Sequence, residues 1–353
     1  MRRAEVWFRN WVRKNNKRGG NVFLSLPSWF YGACTALRHN LYDRGVFAQK
    51  KVDIPVVSIG NLVCGGAGKT QVCLLLAKEL KKRIAIVSRG YRGKAEKKKS
   101  ALLVDHTVHA PDECGDEPWL LASRLPETKV IVCKNRFEGA RRAEREGAEV
   151  IVLDDGMQHR RLHRDIEIVV IDAADPWGGG YFLPKGLLRE DPKRLAFADL
   201  VMIIETSPST IEIPFTQAPS VYGRIVPKRV LDMNGEALGS LEGVSVGVFC
   251  GIGNPHRFVT TVESLGAKVV ARYFSPDHSA IEKGALKRFA RLAKKKGAKL
   301  LLCTEKDKIK QPAFHNEIPL PIGWVEASIE IFKNKEAWEN LLTHINQLGT
   351  IAT

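Results

Sequence analysis

One run, Gly60-Asn-Leu-Val-Cys-Gly-Gly-Ala-Gly-Lys-Thr70, restricts this chain more than any other feature. The apolar stretch Pro55–Ile59 precedes it. Lys69–Lys82 follows, with Val72, Leu75, Leu76 and Leu80 at helical spacing. Strand, glycine-rich turn and helix make the setting in which main-chain N–H groups converge on phosphate oxygens, aided by the helix dipole. Gly65, Gly66, Ala67 and Gly68 are expected to form the cradle, with Lys69 on the outer phosphates, Thr70 on Mg²⁺ and Gln71 next in the helix. The loop is a variant, because Val63 stands where the general pattern has its first glycine. Kinases, GTPases and transport ATPases share such a loop, so other residues must decide among them.

The texture around the loop is α/β. Arg83–Ser88, Lys129–Cys133, Glu149–Leu153, Ile166–Ile171 and Leu200–Ile204 read as buried strands, several alternating with helical segments such as Phe137–Glu146. Continuous apolar strands with helical crossovers predict a parallel sheet covered on both faces. Residues 205–219, rich in Pro, Ser and Thr, read as the end of a first domain. Asn234-Gly235 between two extended runs signals a hairpin. From Val244 the α/β texture returns, with Lys268–Tyr273, Glu282–Lys296 and Lys299–Cys303 as its next elements. The expected organisation is a basic N-terminal segment (1–52), a P-loop NTPase-type parallel-sheet domain (53–219), a β-ribbon (220–243) and a smaller α/β domain (244–353).

Charge separates the N-terminal segment from the rest. The net charge is +16 over 353 residues, which favours polyanionic partners. Residues 1–52 carry eleven Lys/Arg against Glu5 and Asp43. Within them, Val22–Leu37 is uncharged for sixteen positions and holds Trp29-Phe30-Tyr31, but Pro27 interrupts it. It is shorter than the roughly 20 apolar residues of a membrane span. Basic flanks and clustered aromatics predict an amphipathic helix lying in a membrane interface; a helix packed on the protein body is the other reading, and the two are compatible. The seven cysteines form no CxxC pair, which suits reduced thiols in the cytoplasm.

Acidic residues supply the second half of a phosphate-transfer site. Ile151-Val-Leu-Asp-Asp155 is an apolar strand ending in two carboxylates, the form expected of a Mg²⁺-organising element beside a phosphate loop. Gln158 and His159 follow closely enough to enter the same crevice. Gly115-Asp-Glu-Pro118 puts Asp116 and Glu117 at a helix start, which suits either plain dipole placement or one acid for Mg²⁺ and one for an acceptor hydroxyl. Gly178–Glu190 is a glycine-rich loop ending in Arg189, a side chain that can stabilise transition-state charge or simply sit in solvent. Residues 92–100 read as a solvated charged loop.

The ordered set IPVVSIGNLVCGGAGKT, VSRGYRG, GDEP, NR, DDGMQHRRLHRD, LPKGLLRE, FCGIGNP, PDH and TEKD resembles the tetraacyldisaccharide 4′-kinase family across nearly the whole chain. The resemblance implies transfer of the ATP γ-phosphoryl group to the 4′-hydroxyl of an acylated glucosamine disaccharide 1-phosphate, a lipid A precursor, at the anionic cytoplasmic face of the inner membrane. It implies that Lys69 and Thr70 hold phosphates and Mg²⁺, and that Glu117, Asp154 and Asp155 lie around the metal. Asp116, paired with His278, would be the base, while Arg189, Gln158, His159, Tyr91 and Arg92 would line the cleft. Gln71, Met157 and Ser279-Ala280 depart from the family pattern. Two rivals fit less well. A GTPase would carry an NKxD specificity motif, which Lys134-Asn135 and Glu305-Lys306-Asp307 do not match. A nucleic-acid ATPase would interleave its charge with aromatics along a groove, so no nucleic-acid partner is expected.

Overall fold

The computed structural model describes residues 22–98, 100–205, 213–275, 281–310 and 315–349. His278 and residues 206–212 of the Pro/Ser/Thr-rich stretch lie outside the described residues. In chain order the helices are α1 (Ser25–Asp43), α2 (Lys69–Glu79), α3 (Pro111–Cys114), α4 (Asp116–Arg124), α5 (Arg136–Arg145), α6 (Pro255–Glu263), α7 (Lys283–Lys295), α8 (Glu305–Lys310) and α9 (Lys335–Gln347). The strands are β1 (Val56–Gly60), β2 (Ile84–Ser88), β3 (Leu102–Leu103), β4 (Lys129–Val132), β5 (Val150–Asp154), β6 (Ile166–Asp172), β7 (Leu200–Glu205), β8 (Ser220–Asp232), β9 (Ser245–Cys250), β10 (Lys268–Phe274), β11 (Leu300–Thr304) and β12 (Ile322–Lys333).

The chain folds into two compact units. The larger ends at Arg224 and resumes at Ile331; the smaller is Ile225–Glu330. In the larger unit the strands run β8-β7-β6-β1-β5-β2-β4-β3, parallel except for β3. Every residue of β1, β2 and β5 is buried, as expected of strands covered on both faces. β1 lies between β5 and β6, with Ile59 opposite Asp154. Its carboxyl end is therefore flanked by the ends of two neighbours, where open α/β sheets bind ligands.

In the smaller unit, β10, β9, β11 and β12 pair in that order, all parallel. Phe258, Val259 and Val262 of α6 belong to one apolar cluster, and Leu286, Phe289 and Ala290 of α7 to another. The Asn234-Gly235 turn is present. Gly235 has φ 94°, Asp232 Oδ1 accepts from the Asn234 and Glu236 N–H groups, and Leu231 bridges Ala237 in antiparallel fashion.

The expected span of the smaller domain, 244–353, includes α9, but α9 belongs to the larger unit. Trp338, 1 % exposed, donates from Nε1 to Glu79 Oε2 at 2.6 Å. An apolar helix face at the end of a chain can be buried on any available surface, and sequence order does not choose which. No helix among the described residues is long and apolar enough to cross a membrane.

Candidate active site

The phosphate loop forms as its glycines require. Gly65 has φ 138° and Gly68, at the cap of α2, has φ 99°, both in the region that only glycine enters freely. Gly60 also meets a close neighbour, since a Cβ there would lie 2.3 Å from Met157 Cβ. The turn thus leaves β1, passes the 154–157 segment and opens α2 with Lys69 in its first turn.

Lys69 Nζ donates to Asn61 Oδ1 at 2.9 Å and lies 3.3 Å from Asp155 Oδ1. Arg189 holds the same two partners, pairing with both oxygens of Asp155 and donating to Asn61 Oδ1. The two cations hold the Asp155 carboxyl well below its usual range, and Asp155 raises Arg189. Asp155 adopts φ 54°, a left-handed conformation uncommon outside glycine, so the two acids at the end of β5 point apart. Asp154 turns inward. It is 2 % exposed, accepts from Ser88 Oγ at 3.0 Å and lies 3.8 Å from Cys73 Sγ. Burial, then Glu117 and Asp155, push its carboxyl up to about 6.

Asp116 and Glu117 begin α4, half-buried. Two glycines place them. A Cβ on Gly93 would meet the Cys114 carbonyl carbon and Gly115 nitrogen at 2.6 Å, and one on Gly90 would meet the Cys114 oxygen at 2.7 Å. The RGYRG and GDEP motifs are therefore two backbones in direct contact, which explains the glycines at 90, 93 and 115.

Beside this cluster opens a cavity of about 840 Å³, lined mainly by cations, among them Arg89, Lys134, Arg136 and Arg161, with Asp155 and Arg189 in its wall. Gln158 and His159 also line it. Gln158 Nε2 donates to Asn61 O at 3.3 Å. His159 is pushed down to about 4 by burial and by Arg136 and other arginines, and its buried Nε2 has no hydrogen-bond partner among the described residues. Arg136 is 4 % exposed; burial lowers it to about 10 despite the attraction of Asp154 and Asp155. The stretch expected to be a solvated loop contributes Glu96, Lys97 and Lys98 to the cavity, because buried Ala95 anchors it and Glu96 pairs with Arg89 at 2.7 Å. Tyr91 and Arg92 lie in the same segment, Arg92 stacked over the Tyr91 ring at 5.2 Å, but neither lines the cavity.

Of the residues expected from the sequence, the structure brings Lys69, Asp155 and Arg189 together, sets Glu117 close enough to Asp154 to raise its carboxyl, and puts Asp155, Gln158, His159 and Arg189 in the cavity wall; Asp116 stands beside Glu117 at the start of α4. Sequence reasoning missed Asn61, Ser88 and Arg136. The signal for Asn61 was available: it is the only polar side chain between Gly60 and Cys64.

A parallel sheet with a phosphate loop at the end of β1, two carboxylates at the end of β5 and a cationic cavity alongside defines a phosphate-loop nucleotide-binding protein. The family described as tetraacyldisaccharide-1-P 4′-kinase matches residues 21–346, and the chain belongs to that family. A relative from Chlamydia abortus named tetraacyldisaccharide 4′-kinase is 36 % identical, the alignment covering 94 % of this chain and 92 % of the relative. One of the same name from Syntrophus aciditrophicus is 35 % identical, with 93 % and 94 % covered. The crystal structure of LpxK from Aquifex aeolicus in complex with ATP superposes with a TM-score of 0.72 at 31 % identity, covering 91 % of this chain and 98 % of that one.

Proposed function

We infer that this chain is an ATP-dependent kinase that phosphorylates the 4′-hydroxyl of an acylated glucosamine disaccharide 1-phosphate, the tetraacyldisaccharide stage of lipid A synthesis. The observation that carries the reading is the junction of a phosphate loop with a separate, open cationic cavity through Asp155 and Arg189. A nucleotide-driven switch needs only the phosphate loop. A kinase for an anionic acceptor needs a second polar site sharing the reaction centre, and the cationic wall suits a phosphorylated sugar.

In this reading the loop N–H groups, Lys69 and Thr70 bind the ATP phosphates. Lys69 exchanges its contact with Asp155 for phosphate oxygens, and Arg189 neutralises charge building on the transferred group. Asp116 accepts the proton of the 4′-hydroxyl. His278, expected from the sequence to assist it, lies outside the described residues. Gln158 and the free Nε2 of His159 orient the sugar, and the low pKa of His159 keeps that ring neutral and able to accept a hydrogen bond.

Residues fit for Mg²⁺ are present: Thr70, Glu117 and Asp154, with Asp155 adjoining. Among the described residues no three acids, thiols or imidazoles form a preformed metal cluster. Mg²⁺ in phosphoryl transfer needs only one or two carboxylates plus phosphate oxygens and water. The raised carboxyl of Asp154 beside Glu117 marks a crowding of negative charge that a cation would relieve. Mg²⁺ bound there would neutralise charge on the phosphate oxygens.

Membrane association at the cytoplasmic face of the inner membrane belongs to the same reading. Val22, Phe23, Leu26, Trp29, Phe30 and Leu37 are each more than 60 % exposed along one stretch. Basic residues near an anionic surface add about 1 kcal/mol each.

The test is transfer of label from γ-labelled ATP, with Mg²⁺, to an acylated disaccharide 1-phosphate in detergent micelles, with Lys69→Ala as control. Labelled lipid that vanishes in the variant is expected. ATP hydrolysis with no labelled lipid would overturn the reading.

A further inference from the structure

Helix α1 has two faces, and the inner one is polar. Ser28, 5 % exposed, donates to the Phe182 carbonyl at 2.7 Å, and Lys185 Nζ donates to Ser25 Oγ at 3.1 Å. Gly32 packs so closely on Phe182 that a Cβ would lie 2.7 Å from the ring. Further along the helix, His39 Nε2 is 2.5 Å from Glu190 Oε2, with Arg38 3.4 Å from the other oxygen. Phe182, Lys185 and Glu190 all belong to the glycine-rich segment 178–190, so α1 is fastened to that segment along its length.

The His39 tautomer follows from its second contact. Arg160 Nη1 lies 3.3 Å from His39 Nδ1 and can only donate. Nδ1 is therefore the acceptor, and Nε2–H donates to Glu190. Arg160 is held in turn by Asp43 at 2.7 Å, and Arg194 pairs with the same carboxylate at 3.2 Å. Glu190 is 0 % and His39 6 % exposed. A buried carboxylate that loses a partner leaves the desolvation cost uncompensated, so this pair resists separation.

What Glu190 adjoins gives the pair its meaning. The preceding residue is Arg189, gripping Asp155 and Asn61. The backbone of the segment also pairs with the phosphate loop: Arg189 N donates to Leu62 O at 2.7 Å, Glu190 N to the same oxygen at 3.2 Å, and Cys64 N to Leu187 O at 2.8 Å. A continuous line of hydrogen bonds thus runs from the helix whose outer face is apolar to the arginine beside the phosphate loop.

We propose that His39 and Glu190 form a latch through which the lipid-facing helix positions Arg189 in the phosphate site. Helix α1 is then more than an anchor. Seated, it holds Arg189 and the 62–64 backbone in the arrangement that transfers phosphate; displaced, it releases them. His39 and Glu190 are positioning residues, since neither touches substrate. The proposal rests on the kinase reading and on membrane docking of the outer face.

The test uses the full-length protein with two acceptors: the acylated disaccharide 1-phosphate in anionic vesicles, and its deacylated, water-soluble counterpart. Glu190→Gln and His39→Ala are each expected to lower kcat about 10- to 100-fold on both acceptors, the scale of a small displacement at a reaction centre. Acceptor KM and vesicle co-sedimentation stay unchanged. His39→Gln, whose amide can donate from nearly the same point, restores most of the rate. In an Arg189→Ala background Glu190→Gln adds nothing further. Amide hydrogen exchange at 62–64 and 187–190 rises in Glu190→Gln, a readout that needs no turnover. Unchanged kcat and exchange, losses that multiply with Arg189→Ala, or a fall in vesicle binding alone would each overturn the latch. Failure of the kinase reading would show separately, as no labelled acceptor even in the wild type, and failure of docking as no wild-type co-sedimentation.

Discussion

Arg189 meets Asp155 through both arms of its guanidinium, Nη1 to Oδ2 at 3.0 Å and Nη2 to Oδ1 at 2.8 Å, on the wall shared by the phosphate loop and the cationic cavity. This fork-on-fork pairing sets the angle of the guanidinium as well as its position.

Arg189→Lys is therefore expected to behave almost as badly as Arg189→Ala. Lysine keeps the charge but cannot span both oxygens. Loss of one preorganised charge-stabilising donor costs about 100- to 1,000-fold in kcat. Steady-state kinetics with saturating ATP checks this, and a lysine variant within about threefold of wild type would mean that bare charge suffices.

Asp154→Asn should be more stable than wild type at pH 8 and no more stable at pH 4. The folded carboxyl titrates at about 6, above the ordinary value of 3.8. The fold therefore binds the proton more tightly than the unfolded chain does. That stability is present in full below about pH 4 and is lost as pH rises through 6. A neutral amide removes the cost, worth at most about 3 kcal/mol for a shift of this size. Thermal melts across pH test it; a lower melting temperature at pH 8 would contradict it. Activity should fall at the same time.

The same carboxyl predicts a proton–metal competition. Below pH 6 the half-saturating Mg²⁺ concentration should rise, because metal must displace a proton from Asp154. A Mg²⁺ requirement that stays flat from pH 5.5 to 8 would place the metal elsewhere.

Gly93→Ala probes how the acidic pair is placed. The new Cβ would press on the Cys114–Gly115 backbone at 2.6 Å, which cannot swing aside as a side chain can. Overpacking of this kind costs about 1–3 kcal/mol. It should also displace Asp116 and Glu117, so kcat falls beyond what the change in melting temperature explains. A variant with normal kcat would separate the two motifs.

Trp29→Ser with Phe30→Ser tests the outer face of α1. Each buried aromatic contributes about 1.5–3 kcal/mol, so co-sedimentation with anionic vesicles should drop by at least about tenfold. Undiminished binding would argue against insertion of this face.

Much of the fold was legible in the sequence because buried parallel strands are written as unbroken apolar runs. The strands expected at 83–88, 149–153 and 166–171 are observed at Ile84–Ser88, Val150–Asp154 and Ile166–Asp172. The site was legible where motif and element coincide, as at Lys69 and at Asp154-Asp155. It was illegible where partners lie far apart in the chain. Ser88 could be recognised as a partner of Asp154 only once β2 was known to pair with β5. Residues 92–100 read as solvated because their charge was visible and the burial of Ala95 was not.

The sequence by itself determined the phosphate loop, the strand-ending carboxylates and the family. These depend on backbone conformation and on chemistry carried by adjacent residues, which local order encodes directly. Only the tertiary structure decided which of the paired acids is buried, where α9 packs, and that α1 is fastened to the segment bearing Arg189. His39 and Glu190 stand 151 positions apart. Nothing local marks either as the partner of the other. Their meeting follows from the packing of a helix on a loop, which is a property of the whole fold.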